Sequence, residues 1–186
     1  MSLQLSPFSN NCFLSICVCF MFIDGAGAQT TDECLDEIRL AGRAAGAYAA
    51  GDHQRAFTLY RTLADCGDRV GQYHLGVMYE EGDGVAQNYA EASRLFLLAA
   101  QQGDSRAQLA LGTAYANGDG VLQDFVKAHM WFNIAASTAV DDSMREFRDT
   151  ARAYREQVSR HMIPAQLAKA QEMADQCIRS NYKLCG

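Results

Sequence analysis

Apolar residues along this chain return at helical spacing, in short stripes broken by glycine. Gly71, Leu75, Met78, Tyr79 and Gly82 fall on one such stripe. A second stripe, Ala92, Leu95, Phe96, Ala99 and Ala100, predicts a helix from about Tyr89 to Gln102. Between them stands "EGDGV", where Gly82 and Gly84 can take the positive φ that stops a helix. "QQGDSR" ends the second helix at Gly103 and offers Asp104 or Ser105 as the next cap. Each unit therefore reads helix, tight loop, helix.

The unit returns after 36 positions. Leu75, Gly76, Tyr79, Gly82, Gly84, Val85, Ala92 and Phe96 recur as Leu111, Gly112, Tyr115, Gly118, Gly120, Val121, Ala128 and Phe132. The same interval carries Ala92, Phe96, Gly103 and Asp104 back onto Ala56, Tyr60, Gly67 and Asp68. A lone helical hairpin cannot bury its own apolar stripe, whereas stacked hairpins can. The fold expected is all-α, a right-handed α-solenoid of about eight helices in four hairpins.

The two full copies resemble the Sel-one-like repeat family, relatives of the tetratricopeptide repeats. The resemblance rests on the L-G-x-x-Y, G-x-G-V and aromatic-x-x-A-A elements, over roughly 70–105 and 106–138. The preceding hairpin lacks the first two and turns through "AAGDH", so 29–69 is expected to be an N-terminal cap on the same plan. After Thr138 the phrase dissolves into two more polar helices, the second starting at Pro164, where a helix tolerates proline. Residues 139–186 are expected to cap the other end, which makes 29–186 one domain. The resemblance implies a non-enzymatic scaffold for a protein or peptide partner, like relatives that act as adaptors in envelope or signalling assemblies. A cysteine-rich secreted branch of the family is associated with β-lactam binding and weak hydrolysis. Its members carry a cysteine pair in every unit, whereas this chain has no cysteine between Cys66 and Cys177.

The first 28 residues read as a signal peptide. "CFLSICVCFMFI" has the length of a secretory apolar core and is too short to span a bilayer. Ala26-Gly27-Ala28 then supplies a small-x-small cleavage site, although residues 1 to 11 contain no Lys or Arg. Cleavage after Ala28 leaves four of the seven cysteines, Cys34, Cys66, Cys177 and Cys185. Four exported thiols suggest two disulfides, for which three connectivities exist. Folding a hairpin at Gly51 sets Cys34 opposite Cys66, which leaves Cys177 with Cys185. The protein is read as bacterial, periplasmic or secreted, with no membrane insertion after cleavage. Its net charge of −6 would repel phosphate backbones, so nucleic acid is not an expected partner.

Catalytic and cofactor motifs are absent or better explained as folding signals. "GDGVAQ" lacks both the third glycine of a dinucleotide loop and a following G-K-S/T. Glu80, Glu81 and Asp83 lack the ligand spacing of a calcium loop. His53, His74, His129 and His161 lie in different hairpins, so no metal site is expected. Ser180 and Lys183 formally match S-x-x-K without its companion motifs. That match reads as accidental, and it is the resemblance to the cysteine-rich branch that implies the alternative to the scaffold, a β-lactam or peptidoglycan-fragment binder with weak hydrolase activity. What remains is a surface. Tyr73, Val77 and Glu80, with Leu109, Thr113 and Ala116 one repeat later, are candidates to line a binding groove. Glu37, Ala41 and Ala44 are placed in the same register in the first hairpin.

Non-reducing peptide mapping checks the cysteine pairing. The expected products are Cys34–Cys66 and Cys177–Cys185, the former closing a loop worth about 3–4 kcal/mol of stability. Cys34 joined to Cys177 or Cys185 would refute the hairpin placement.

Overall fold

A computed structural model describes residues 36–138 and 142–185. The expected signal segment and Cys34 lie outside these residues. Among the described residues eight α-helices follow one another without a strand. They are α1 (Glu37–Ala49), α2 (His53–Asp65), α3 (Arg69–Glu81), α4 (Tyr89–Ala100), α5 (Ser105–Asn117), α6 (Phe125–Thr138), α7 (Arg145–Ser159) and α8 (Pro164–Arg179). A 3-10 turn, Asp142–Met144, precedes α7. Each helix from α1 to α6 packs on its successor, while α8 returns to α6. None of these helices is long and apolar enough to cross a membrane.

An acid or amide opens most helices. Asp52, Asp68, Asn88 and Asp104 accept from backbone N–H groups in the first turns of α2, α3, α4 and α5. Asp124 does the same for Val126 and Lys127 in α6. Each such cap contributes about 1 kcal/mol.

The repeated phrase closes the hairpin letter by letter. Gly82 and Gly118 end α3 and α5 in the left-handed conformation, with their N–H groups returned to Met78 and Ala114. The Gln87 amide donates to the Glu80 carbonyl at 2.7 Å, and Gln123 to that of Ala116 at 2.7 Å. The Asn88 and Asp124 N–H groups reach the carbonyls of Tyr79 and Tyr115. Carbonyls that a helix end leaves unpaired are satisfied in this way.

Inside each of the two full repeats a ring meets a residue with no side chain. A Cβ on Gly76 would stand 2.7 Å from the Phe96 ring, and one on Gly112 would stand 2.6 Å from that of Phe132. Behind them runs a buried amide ladder. Gln102 donates to the Gln72 side chain at 2.8 Å, and Thr138 donates to that of Gln108 at 3.0 Å.

The second loop glycine forms the seam between units. Gly84 (φ 70°) lies against the His53 carbonyl of α2, and Gly120 (φ 71°) against the Tyr89 carbonyl of α4. A Cβ at Gly84 would stand 2.6 Å from that oxygen, and one at Gly120 would collide with the Tyr89 backbone.

The C-terminal end departs from a fourth stacked hairpin, because α7 and α8 pack mainly on α6 rather than on each other. The cause lies in α6, which buries Ala128, His129, Met130, Trp131, Phe132, Ile134, Ala135 and Ala136, residues spread around its circumference. Ala151 and Val158 of α7 cover one side of it, and Ala174 and Cys177 of α8 cover another. Cys177 and Cys185 form a disulfide with Cα atoms 4.6 Å apart, buried beside Phe96, Leu111 and Trp131. Within the loop they close, Tyr182 packs its ring over Gly103. Cys66 is also disulfide-bonded.

Two glycine substitutions test the seam. Gly120→Ala should cost about 1–3 kcal/mol in chemical denaturation, from positive-φ strain and backbone contact. Gly42→Ala, in open space on α1, should add about 0.4–1 kcal/mol. Equal effects at the two positions would contradict this seam.

Candidate functional site

All six groove candidates are half-buried, on α3 and α5. Tyr73, Glu80, Leu109 and Thr113 come together around a hollow of about 340 Å³, with Arg106 and Phe147. Thr113 and Ala116 line a second hollow of about 230 Å³, beside Phe132, Tyr154 and Val158. Thr113 is common to both, so the hollows form one groove along α5. Val77 instead packs against the core cluster. The far wall is α7, through Phe147, Tyr154 and Val158. In the sequence, Met144, Phe147, Ala151 and Tyr154 recur at helical spacing, the one signal for this wall.

The first hairpin does not continue the groove in the expected register. Its connection, from Ala50 to Asp52, is four residues shorter than that from Gly82 to Asn88. That shift turns Ala44 inward, where it is fully buried in the cluster that holds Tyr60. Ala44 thus takes the place that Gly76 has in α3.

One end of the groove is cationic. The Arg106 guanidinium lies 4.4 Å from the centre of the Tyr73 ring and bonds Asp104 at 2.8 Å. His74 stacks on Tyr60, with centroids 4.8 Å apart, and meets the edge of Tyr73. Burial, and then the nearby Arg106, hold the His74 imidazole below its ordinary pKa. Two helical turns along α3, about 10 Å away, Glu80 forms the acidic end. Its carboxyl is pushed up by burial first, then by Glu81 and Asp119.

The acids of the loops serve the seams. Asp83 accepts from the Tyr48 hydroxyl at 2.9 Å, and its side chain lies 3.6 Å from His53. The bond to Asp83 is the main cause of a Tyr48 pKa pushed up to about 12. Asp119 accepts from the Asn117 amide at 2.9 Å, and its carbonyl accepts from Ser93 at 2.8 Å. Among the described residues no three of His, Cys, Asp and Glu gather to hold a metal ion. The four histidines stay apart, and His161 stacks on Phe125.

Ser180 sits at the end of α8 with its hydroxyl engaged. It donates to the Cys177 carbonyl at 2.8 Å and accepts from the Leu184 N–H at 2.9 Å. Lys183 makes no side-chain hydrogen bond or ion pair among the described residues.

With this geometry in place, comparison with known proteins is informative. The family model of the Sel1 repeat matches residues 38–68, 70–104 and 105–137, together more than half of the chain. The first match includes the hairpin that departs from the signature. One similar solved structure is c5321, a protective antigen present in uropathogenic Escherichia coli strains and displaying an SLR fold. It is 27% identical with a TM-score of 0.71, over 83% of this chain and 34% of its own. The chain thus spans about a third of that protein's length. A Sel1 repeat protein from Oxalobacter formigenes is 26% identical with a TM-score of 0.53, over 67% of this chain and 94% of its own. No curated protein matches.

The raised Glu80 pKa has a testable sign. Folding disfavours the charged carboxylate, so its cost is absent below the ordinary value of 4.5 and grows as pH rises above it. Glu80→Gln should therefore stabilise the protein at pH 7 and lose that gain as pH falls below 4.5. A gain of the same size at both ends of the range, read by urea denaturation, would contradict the assignment.

Proposed function

The chain belongs to the Sel1 repeat family, whose repeats are generally protein–protein interaction modules, and from that premise we propose that it is an exported, non-enzymatic adaptor. Its groove between α3, α5 and α7 receives a short segment of another protein. The observation that carries this reading is the groove itself: Leu109, Ala110 and Phe147 give it an apolar floor, and Arg106 and Glu80 stand at its polar ends. A matching segment places an aliphatic or aromatic side chain over the floor, a carboxylate toward Arg106 and an amide or cation toward Glu80. Scattered exposed apolar residues are ordinary on a protein surface, whereas a half-buried floor between opposite charges is a shaped one.

Export rests on the apolar run from Cys12 to Ile23, the Ala26-Gly27-Ala28 site after it, and the cysteine usage. The compartment proposed is the periplasm or the exterior. Disulfide-bonded Cys66, Cys177 and Cys185 are compatible with it. The absence of turnover is supported by Ser180, whose hydroxyl is committed to two backbone groups.

A photocrosslinking residue at Thr113, introduced into the protein in its native envelope, tests the groove. It should capture one discrete protein, and Arg106→Glu should abolish that capture. The same residue at exposed Arg61 of α2 should not capture it. Identical products from both positions, or none from Thr113, would overturn the groove assignment.

A further inference from the structure

α7 and α8 diverge above α6 and leave a cleft of about 780 Å³. His129 and Asn133 of α6 line its floor, Arg155 and Glu156 of α7 one wall, and Gln171 and Asp175 of α8 the other. It is distinct from the groove. α7 turns Phe147, Tyr154 and Val158 toward the groove, and Arg155, Glu156 and Ser159 toward the cleft.

Three observations set the cleft apart from a packing gap. A gap between poorly seated helices is lined by their apolar stripes, but here Leu167 is the one aliphatic lining residue. Second, a polar side chain, His129, is only 5% exposed on the floor, where a packing gap would sink an apolar one. Its Nδ1 is closed to solvent and has no hydrogen-bond partner among the described residues. Burial, and then Arg155, favour the neutral imidazole, which can both donate and accept.

The third observation concerns charge. Arg152 is matched by Asp149 at 3.5 Å within α7, and Glu156 by Arg160, at the helix's C-terminal cap, at 3.9 Å. Arg155 instead donates to the Asn133 amide oxygen at 2.6 Å, which steadies its guanidinium above the floor. Among the described residues neither Arg155 nor Asp175 has an ion-pair partner. An unmatched cation on one wall therefore faces an unmatched carboxylate on the other, across a space that keeps them from pairing.

We propose that this cleft binds a small zwitterion, an amino acid or dipeptide, with its carboxylate on Arg155 and its ammonium on Asp175. A guanidinium takes a carboxylate by two parallel hydrogen bonds, so the carboxylate end sets the orientation. His129, Asn133 and Gln171 supply hydrogen bonds between the two charges. The occupant is polar because the lining is polar.

Titrating the full chain with dialanine, N-acetyl-dialanine and dialanine amide, followed by NMR, separates the two charge pairs. Dialanine should move the resonances of His129, Asn133 and Gln171. Each blocked peptide should bind about tenfold more weakly, having lost one charge-assisted pair. Asp175→Asn, at an exposed position, should weaken dialanine about tenfold and leave the acetylated peptide unchanged, with helix content intact by circular dichroism. Unmoved cleft resonances, equal binding of all three peptides, or equal weakening of the acetylated form by Asp175→Asn would each overturn the proposal.

Discussion

A phenylalanine ring lying where a side chain is missing holds each full repeat together. Phe96 occupies the space that a Cβ on Gly76 would need, and Phe132 does the same at Gly112. Glycine inside a helix costs about 0.5–1 kcal/mol relative to alanine, while full burial of a phenylalanine is worth about 1.5–3 kcal/mol. The ring wins, provided the two helices come close enough for it to seat. The first hairpin reaches the same end with a milder pair, Ala44 and Tyr60, both buried in one cluster.

From that contact the rest of the architecture follows in order. Close helices need a tight connection, and the glycines and amides of the loop supply it. The loop's second glycine then presses on the preceding unit, so closing a hairpin also positions its neighbour. The series stops at α6, whose buried residues surround it and demand cover on two sides. α7 and α8 supply that cover by spreading apart. The same divergence shapes two concave features beside α7, the groove on one flank and the cleft on the other.

Much of this was legible in the residues. The stripe of Ala92, Leu95, Phe96, Ala99 and Ala100 is buried throughout, and Pro164 opens α8. Local chemistry decides such features, and local chemistry is written in order along a sequence. The errors came where a count across a loop mattered. Four residues fewer between α1 and α2 rotated Ala44 from the expected surface into the core. The amide ladder of Gln72 and Gln108 was invisible because a glutamine reads as solvent-facing until its partner is placed. The groove could be guessed only in part, since its far wall belongs to α7, beyond the last repeat. His129 drew attention only as a histidine that fails to converge with others, and its burial depends on where α7 and α8 come to rest.

The ring-against-glycine contact is tested most directly by a double-mutant cycle at Gly112 and Phe132. In the natural background Gly112→Ala should destabilise the protein, because the new Cβ meets the ring. With Phe132→Leu already in place the obstruction is gone, and the same change should stabilise by up to about 1 kcal/mol through helix propensity alone. A reversal of sign between the two backgrounds is the predicted result. Gly112→Ala costing the same in both would contradict the account.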